Sequence, residues 1–140
     1  MMFRFILSAL LFSFVITSQA QTVQYFEGLT TYSETKNGKI QYGFKDKSGK
    51  VVIPARFDGV ANPFNGGQAI IIINNLYGTI DNKGKVRISA IYKKILESSF
   101  GLLPVQNTAG LWGFYTSDLK LPIPCLYNNF KFTNKGKNIF

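Results

Sequence analysis

The sequence predicts an all-β protein: a short array of antiparallel β-hairpin repeats, each about 35 residues long. Two observations support this. Hydrophobic residues make up 46% of the chain and charged residues only 16%, which is too apolar for a disordered chain. Aromatic and β-branched residues, which favour strands, occur in short runs, and Gly and Asn, which favour turns, lie between the runs. A closed barrel or a partial propeller is the alternative arrangement.

Equivalent residues recur at a constant spacing of about 35 positions, which indicates an internal repeat. The dipeptides Tyr42-Gly43, Tyr77-Gly78 and Trp112-Gly113 mark successive units. The same spacing aligns two more sets of residues: an aromatic column of Phe57, Tyr92 and Tyr127, and a lysine column of Lys50, Lys85 and Lys120. The chain therefore divides into a half-unit at 26–41, units at 42–76 and 77–111, and an incomplete unit at 112–140.

Each unit is predicted to contain three strands. In the first, residues 42–45 form a strand, Asp46 to Gly49 form a turn, and residues 50–53 return. Pro54 should end the pairing because it has no N–H to donate. In the third unit Leu119 stands where the other turns have Gly, so a looser turn or another turn type is expected there.

A third strand is expected at 29–33, 69–73 and 102–106. The segment that precedes it is less regular between units. There the sequence aligns Phe64 with Phe100, after a small change in length.

The first twenty residues have the pattern of a cleavable signal peptide. Arg4 provides a positive charge, residues 5–17 are an apolar core, and small residues at Ser18 and Ala20 suit a signal peptidase. Cleavage is expected after Ala20, leaving residues 21–140 as a repeat domain without a transmembrane segment. The protein is therefore expected in the periplasm or outside the cell.

The repeats resemble the WG-repeat family (WG-containing or KWG repeats) of exported bacterial proteins. The resemblance is carried by the run G-F-x-D-K-S-G-K-V-V-I-P-A-R-F-D at 43–58, by Trp112-Gly113 and by Phe26-Glu27-Gly28-Leu29. It covers about residues 26–136. Tyr replaces Trp in two units, and Ser89 replaces Pro. The resemblance implies a β-rich repeat structure with no catalytic residues and usually no assigned activity.

Few residues suited to catalysis or metal binding occur in the chain. It contains no His and one Cys, Cys125, which aligns with alanines in the other units and is therefore expected to fill a small apolar slot. The sequence thus predicts no catalytic residues, metal or cofactor, and a protein that is not an enzyme. The alternative is a carboxylate-based glycan hydrolase. It would use two acids that converge in a cleft, chosen among Asp46, Asp58, Asp81, Glu97 and Asp118.

The remaining surface features point to a binding or scaffold module, with protein or cell-envelope polysaccharide as partner. The net charge is +9, but the lysines are scattered, so no nucleic-acid partner is expected. The lysine column could form a basic binding stripe, or it could protect strand edges against pairing. The aromatic columns could stack on sugar rings, although a core role is the more common one.

The array begins and ends in the middle of a unit, which would leave strand edges unpaired. The C-terminal half-unit at 132–140 is expected to pair with the N-terminal half-unit at 26–30. Otherwise it would offer an edge for self-association.

Overall fold

The computed structural model describes residues 23–116, 118–120 and 123–132. All eleven regular elements in these ranges are β-strands, which confirms the predicted all-β class. No helix of membrane-spanning length and hydrophobicity occurs in this part of the chain. The predicted cleavage after Ala20 and the tail at 133–140 lie outside the described residues.

The strands form three antiparallel sheets, and in each sheet neighbouring strands follow one another in the chain. The first sheet contains β1 (Leu29–Lys36), β2 (Lys39–Asp46) and β3 (Val51–Phe57). The second contains β4 (Gly59–Asn65), β5 (Gln68–Ile73), β6 (Leu76–Asp81) and β7 (Val86–Tyr92). The third contains β8 (Lys94–Ile95), β9 (Leu102–Gln106), β10 (Trp112–Thr116) and β11 (Ile123–Tyr127). The second and third sheets thus have four strands, one more than predicted for a unit.

The hairpin turns repeat with their hydrogen bonds. In the first unit the Gly49 N–H donates to the Asp46 carbonyl oxygen at 3.0 Å, and Gly49 has a φ of 85°. In the third unit the Leu119 N–H donates to the Thr116 carbonyl oxygen at 2.8 Å, and Leu119 has a φ of 58°. Leu119 thus adopts the left-handed conformation that glycine takes in the other two turns, whereas residue 117 within this turn lies outside the described residues.

The turns that precede the third strand correct one alignment. Gly66 and Gly67 both have positive φ and join β4 to β5, and Phe100 and Gly101 do the same before β9. Phe64 lies two residues before its turn and is buried, whereas Phe100 lies inside its turn and is 68% exposed. Aligning Phe64 with Phe100 is therefore wrong, because the structural equivalent of Phe64 is Ser98.

A bulge interrupts the pairing opposite the glycine of each Tyr/Trp-Gly dipeptide. Tyr42 pairs with Phe57 while Phe44 pairs with Ile53, so Pro54 lies in a bulge and β3 continues beyond it. The expectation that Pro54 ends the pairing is wrong, since a bulge tolerates a residue without an N–H. The Ala55 N–H in this bulge donates to the Tyr32 hydroxyl at 3.0 Å.

The second sheet contributes to two hydrophobic clusters, one shared with each of its neighbours. The first junction joins the first and second sheets through a cluster that includes Phe44, Phe57, Phe64, Ile71 and Ile80. The second junction joins the second and third sheets; its buried cluster consists of Ile70, Ile88, Ile95, Leu103 and Val105. Because Ile70 and Ile71 are adjacent in β5, their side chains point to opposite faces of the sheet. The array is therefore held by burial between successive sheets.

An aromatic cluster lies against the third sheet. The ring of Phe114 packs against Phe130 at 5.0 Å and against Phe132 at 6.3 Å, and Phe132 also contacts Phe100. The rings of Phe130 and Phe132 therefore pack on the third sheet. Apart from Phe132, the segment expected to pair with the N-terminal half-unit lies outside the described residues.

Candidate functional site

The three residues of the lysine column occupy equivalent places, directly after the hairpin turns. Lys50, Lys85 and Lys120 are all exposed. The backbone N–H groups of Lys50 and Lys85 each donate to the carboxylate of the aspartate that opens the turn, at 3.0 Å. Lys120 forms an exposed ion pair with Asp118, with Nζ and Oδ2 3.4 Å apart. Such an exposed pair contributes little to stability.

Exposed valines follow the first two of these lysines. Val51 is 45% exposed and Val86 is 50% exposed. They begin β3 and β7, each of which is the last strand of its sheet in the described structure. A basic side chain and an apolar side chain are thus presented together at two equivalent strand edges.

The two aromatic columns pair with each other across the strands. Tyr42 lies opposite Phe57, Tyr77 opposite Tyr92 and Trp112 opposite Tyr127. The second column changes from buried at Phe57 to half-buried at Tyr92 and exposed at Tyr127, so the expected core role is wrong for Tyr127, which is at the edge of the last sheet.

The junctions differ in polarity because tyrosines replace apolar residues at the second one. Tyr92 is the repeat equivalent of Phe57, and Tyr115 is the equivalent of Ile80. The two tyrosine hydroxyl oxygens lie 2.9 Å apart in a hydrogen bond. Burial, together with this bond, raises the pKa of Tyr92 well above its ordinary value.

The acids considered for catalysis each have a nearby structural partner. The Asp46 carboxylate accepts hydrogen bonds from the Ser48 hydroxyl and from two backbone N–H groups, and the Ser48 hydroxyl is the main reason that its pKa is lowered. The Asp81 carboxylate likewise accepts hydrogen bonds from two backbone N–H groups. Desolvation acts to raise its pKa, but these bonds help to lower the pKa below its ordinary value. The Thr116 hydroxyl lowers the pKa of Asp118.

The two other acids bind groups of a neighbouring segment. Asp58 Oδ2 accepts from the Asn74 N–H at 2.6 Å, and Glu97 Oε1 accepts from Asn62 Nδ2 at 2.5 Å. Among the described residues, no cluster of three or more His, Cys, Asp and Glu side chains could hold a metal ion.

Cys125 is half-buried at the second junction and forms no disulfide. Burial raises the pKa of its thiol, with the Asn107 N–H acting in the opposite direction. A raised pKa disfavours the reactive thiolate form.

A cleft of about 180 Å³ opens between the second and third sheets, and sequence reasoning missed it. Thr79 and Gln68 line it from the second sheet, and Glu97 and Ser98 line it from the segment between β8 and β9. A signal was present in the sequence: Thr79 stands where the other units have Phe44 and Phe114. Whether that difference opens a cleft depends on which sheets stack, and the repeat pattern alone does not reveal the stacking.

The fold defines the class of the molecule as an antiparallel β-repeat protein with three successive sheets. Residues 42–77 and 77–109 each match the family described as WG containing repeat. Residues 42–109 therefore consist of WG-containing repeats, which confirms the resemblance seen in the sequence. Searches of curated proteins and of solved structures found no match to the chain.

Proposed function

We propose that this WG-repeat protein is an exported, non-catalytic binding or scaffold module, with protein or cell-envelope polysaccharide as its partner. One observation carries the proposal: the lysine–valine pairs at the starts of β3 and β7. Val51 and Val86 expose apolar surface at strand edges, where a partner strand could add main-chain hydrogen bonds. This favours a protein partner.

An acidic polysaccharide is the second candidate, favoured by charge. The net charge is +9, and the three column lysines are exposed in equivalent positions of successive units. A repeated cation suits a repeated anionic polymer.

A non-catalytic role is supported by the positions of the carboxylates. Asp46 and Asp81 stabilise the turns that they open, through hydrogen bonds to backbone N–H groups. A glycan hydrolase would instead need an acid and a second carboxylate facing one sugar from two sides. Release of reducing ends from an envelope polysaccharide, abolished by an Asp→Asn or Glu→Gln substitution, would overturn this part of the proposal.

Two variants separate the partner classes. V51K/V86K removes the apolar edge and adds positive charge, so it should weaken binding to envelope proteins and preserve binding to an immobilised acidic polysaccharide such as alginate. K50Q/K85Q/K120Q should preserve binding to envelope proteins and weaken binding to the acidic polysaccharide. Both are measured by biolayer interferometry against the wild type. Binding that neither variant changes would contradict the assignment of function to this surface.

Export is supported by the leader pattern of residues 1–20 and is tested separately. N-terminal sequencing of the protein recovered from the periplasm or the medium should begin at Gln21. An intact Met1 would show that the leader is retained.

A further inference from the structure

The cleft between the second and third sheets is open because two bulky residues are replaced at once. At the first junction the rings of Phe44 and Phe64 pack edge to face, with centroids 4.8 Å apart. At the second junction the equivalent residues are Thr79 and Ser98, and both line the cleft. The same backbone arrangement therefore encloses an aromatic pair at one junction and a space of about 180 Å³ at the next.

Two residues that line this cleft each carry a buried oxygen atom without a protein partner. Thr79 is only 1% exposed, and within the described residues neither its Oγ1 nor the Oε1 of Gln68 has a hydrogen-bond partner. Leaving a buried polar group unpaired is unfavourable, because the group has lost its hydrogen bonds to water. A ligand that donates hydrogen bonds to these oxygens would remove that cost.

The charge of the cleft restricts the ligand. Glu97 is the ionisable residue in its lining, and no lysine or arginine of the described chain lines it. This contrasts with the net charge of +9 for the whole chain and disfavours an anion. The amides of Asn62 and Gln68 and the hydroxyls of Thr79 and Ser98 suit a neutral ligand with several O–H groups.

The walls and the size of the cleft narrow the class further. Pro63, Ile70 and Leu103 provide apolar surface beside the polar groups. A cavity of about 150 Å³ is large enough for a benzene ring, so this cleft has room for one six-membered ring. A pyranose combines such a ring, with apolar C–H surface, and outward hydroxyl donors.

We propose that the cleft lined by Gln68, Thr79, Glu97 and Ser98 binds one neutral pyranose unit of a carbohydrate. The Thr79 and Gln68 oxygens accept hydrogen bonds from sugar hydroxyls, Glu97 accepts at the rim, and Ile70 and Leu103 contact the apolar face. This site is separate from the strand edges at Val51 and Val86 and does not depend on them.

The test uses the full chain, purified as the cell processes it, and two-dimensional amide NMR. The probes are methyl glucopyranoside, methyl galactopyranoside, methyl mannopyranoside and N-acetylglucosamine, each titrated to about 50 mM to detect weak binding. At least one should give saturable shifts at residues that line the cleft. Glycerol, inositol and glucuronate are the comparison ligands. The proposal would be overturned if none of the sugars gave saturable shifts. It would also be overturned if glycerol, inositol or glucuronate gave shifts as large as those of the sugars or larger.

Two substitutions at one position locate the site. T79V removes the hydroxyl and keeps the shape, so it should weaken binding at least fivefold while leaving the melting temperature unchanged or higher. T79F restores the residue type of the first junction and should abolish binding. V51K/V86K should bind the pyranoside as the wild type does, so this test and that of the edge surface can fail independently. Unchanged affinity in both Thr79 variants would show that the sugar binds elsewhere and would overturn the proposal.

Discussion

The glycine of the Tyr/Trp-Gly dipeptide lies so close to the return strand that a Cβ would meet its backbone, so Gly78→Ala tests the bulge directly. A Cβ at Gly78 would lie 2.7 Å from the Ile88 carbonyl oxygen and 2.8 Å from the Ala90 nitrogen. Both are backbone atoms of β7 and cannot rotate away. Gly43 and Gly113 face their return strands in the same way, so the requirement repeats in each unit.

The expected cost follows from the displacement that Gly78→Ala requires. Side chains inserted into a packed interior cost about 1–3 kcal/mol, and here the backbone itself has to move. Each ladder hydrogen bond lost as β7 shifts adds about 1 kcal/mol. We expect a loss of about 2–4 kcal/mol of unfolding free energy, which for a domain of this size lowers the melting temperature by about 10 °C.

Thermal and urea unfolding followed by circular dichroism measure the change, and Gly59→Ala is the matched control. The nearest atom to a Cβ at Gly59 is the end of the Ile72 side chain, at 3.3 Å, and φ at Gly59 is outside the left-handed region. This control should lose less than about 1 kcal/mol. If Gly78→Ala unfolds at the same temperature as Gly59→Ala, the account of the bulge is wrong.

Two further predictions concern the second junction and the turns. In a double-mutant cycle with Y92F and Y115F, the unfolding free energies should show a coupling of about 1 kcal/mol between the two hydroxyl groups. The reason is that each single variant leaves one hydroxyl unpaired. Additive effects of the two substitutions would mean that the hydroxyl pair contributes nothing to stability. The turn aspartates Asp46 and Asp81 have lowered pKa values in the folded chain, so their stabilisation is complete above the unfolded pKa of about 3.9 and is lost as the pH falls through the folded pKa. D46N/D81N should therefore lose less stability than the wild type when the pH is lowered from about 5 to about 2, measured as the melting temperature at each pH. If melting temperature fell in parallel with pH in the two proteins, the role given to these carboxylates would be contradicted.

Local features of the fold were predictable because turn chemistry is local. Asp46 and Gly49 identify a hairpin from their own backbone preferences, and the structure has that hairpin. Strand β4 was missed because Pro63 interrupts its pattern, and β8 because it has only two residues. Both strands form through pairing with the strand that follows, so their own residues do not identify them.

The candidate sites also differ in whether they could be predicted from the sequence. The exposure of Lys50, Lys85 and Lys120 could be inferred because lysine is rarely buried. The cleft could not be inferred, because it depends on Thr79 and Ser98 lining the same junction between two sheets. Their separation in sequence varies between units, and Ser98 was hidden by the incorrect alignment of Phe100 with Phe64.

The sheets and the sequence repeats are out of phase, and this affects how such a chain can change in length. The second sheet spans 59–92, whereas the matched repeat begins at residue 42 and supplies the last two strands of one sheet and the first two of the next. Duplication of a repeat-length segment, wherever the break falls, would therefore add one whole sheet and one new junction. Each new junction could become either a filled contact or an open cleft through substitutions at the positions of Phe44 and Phe64. Gene duplication could thus increase the number of binding clefts without a new fold.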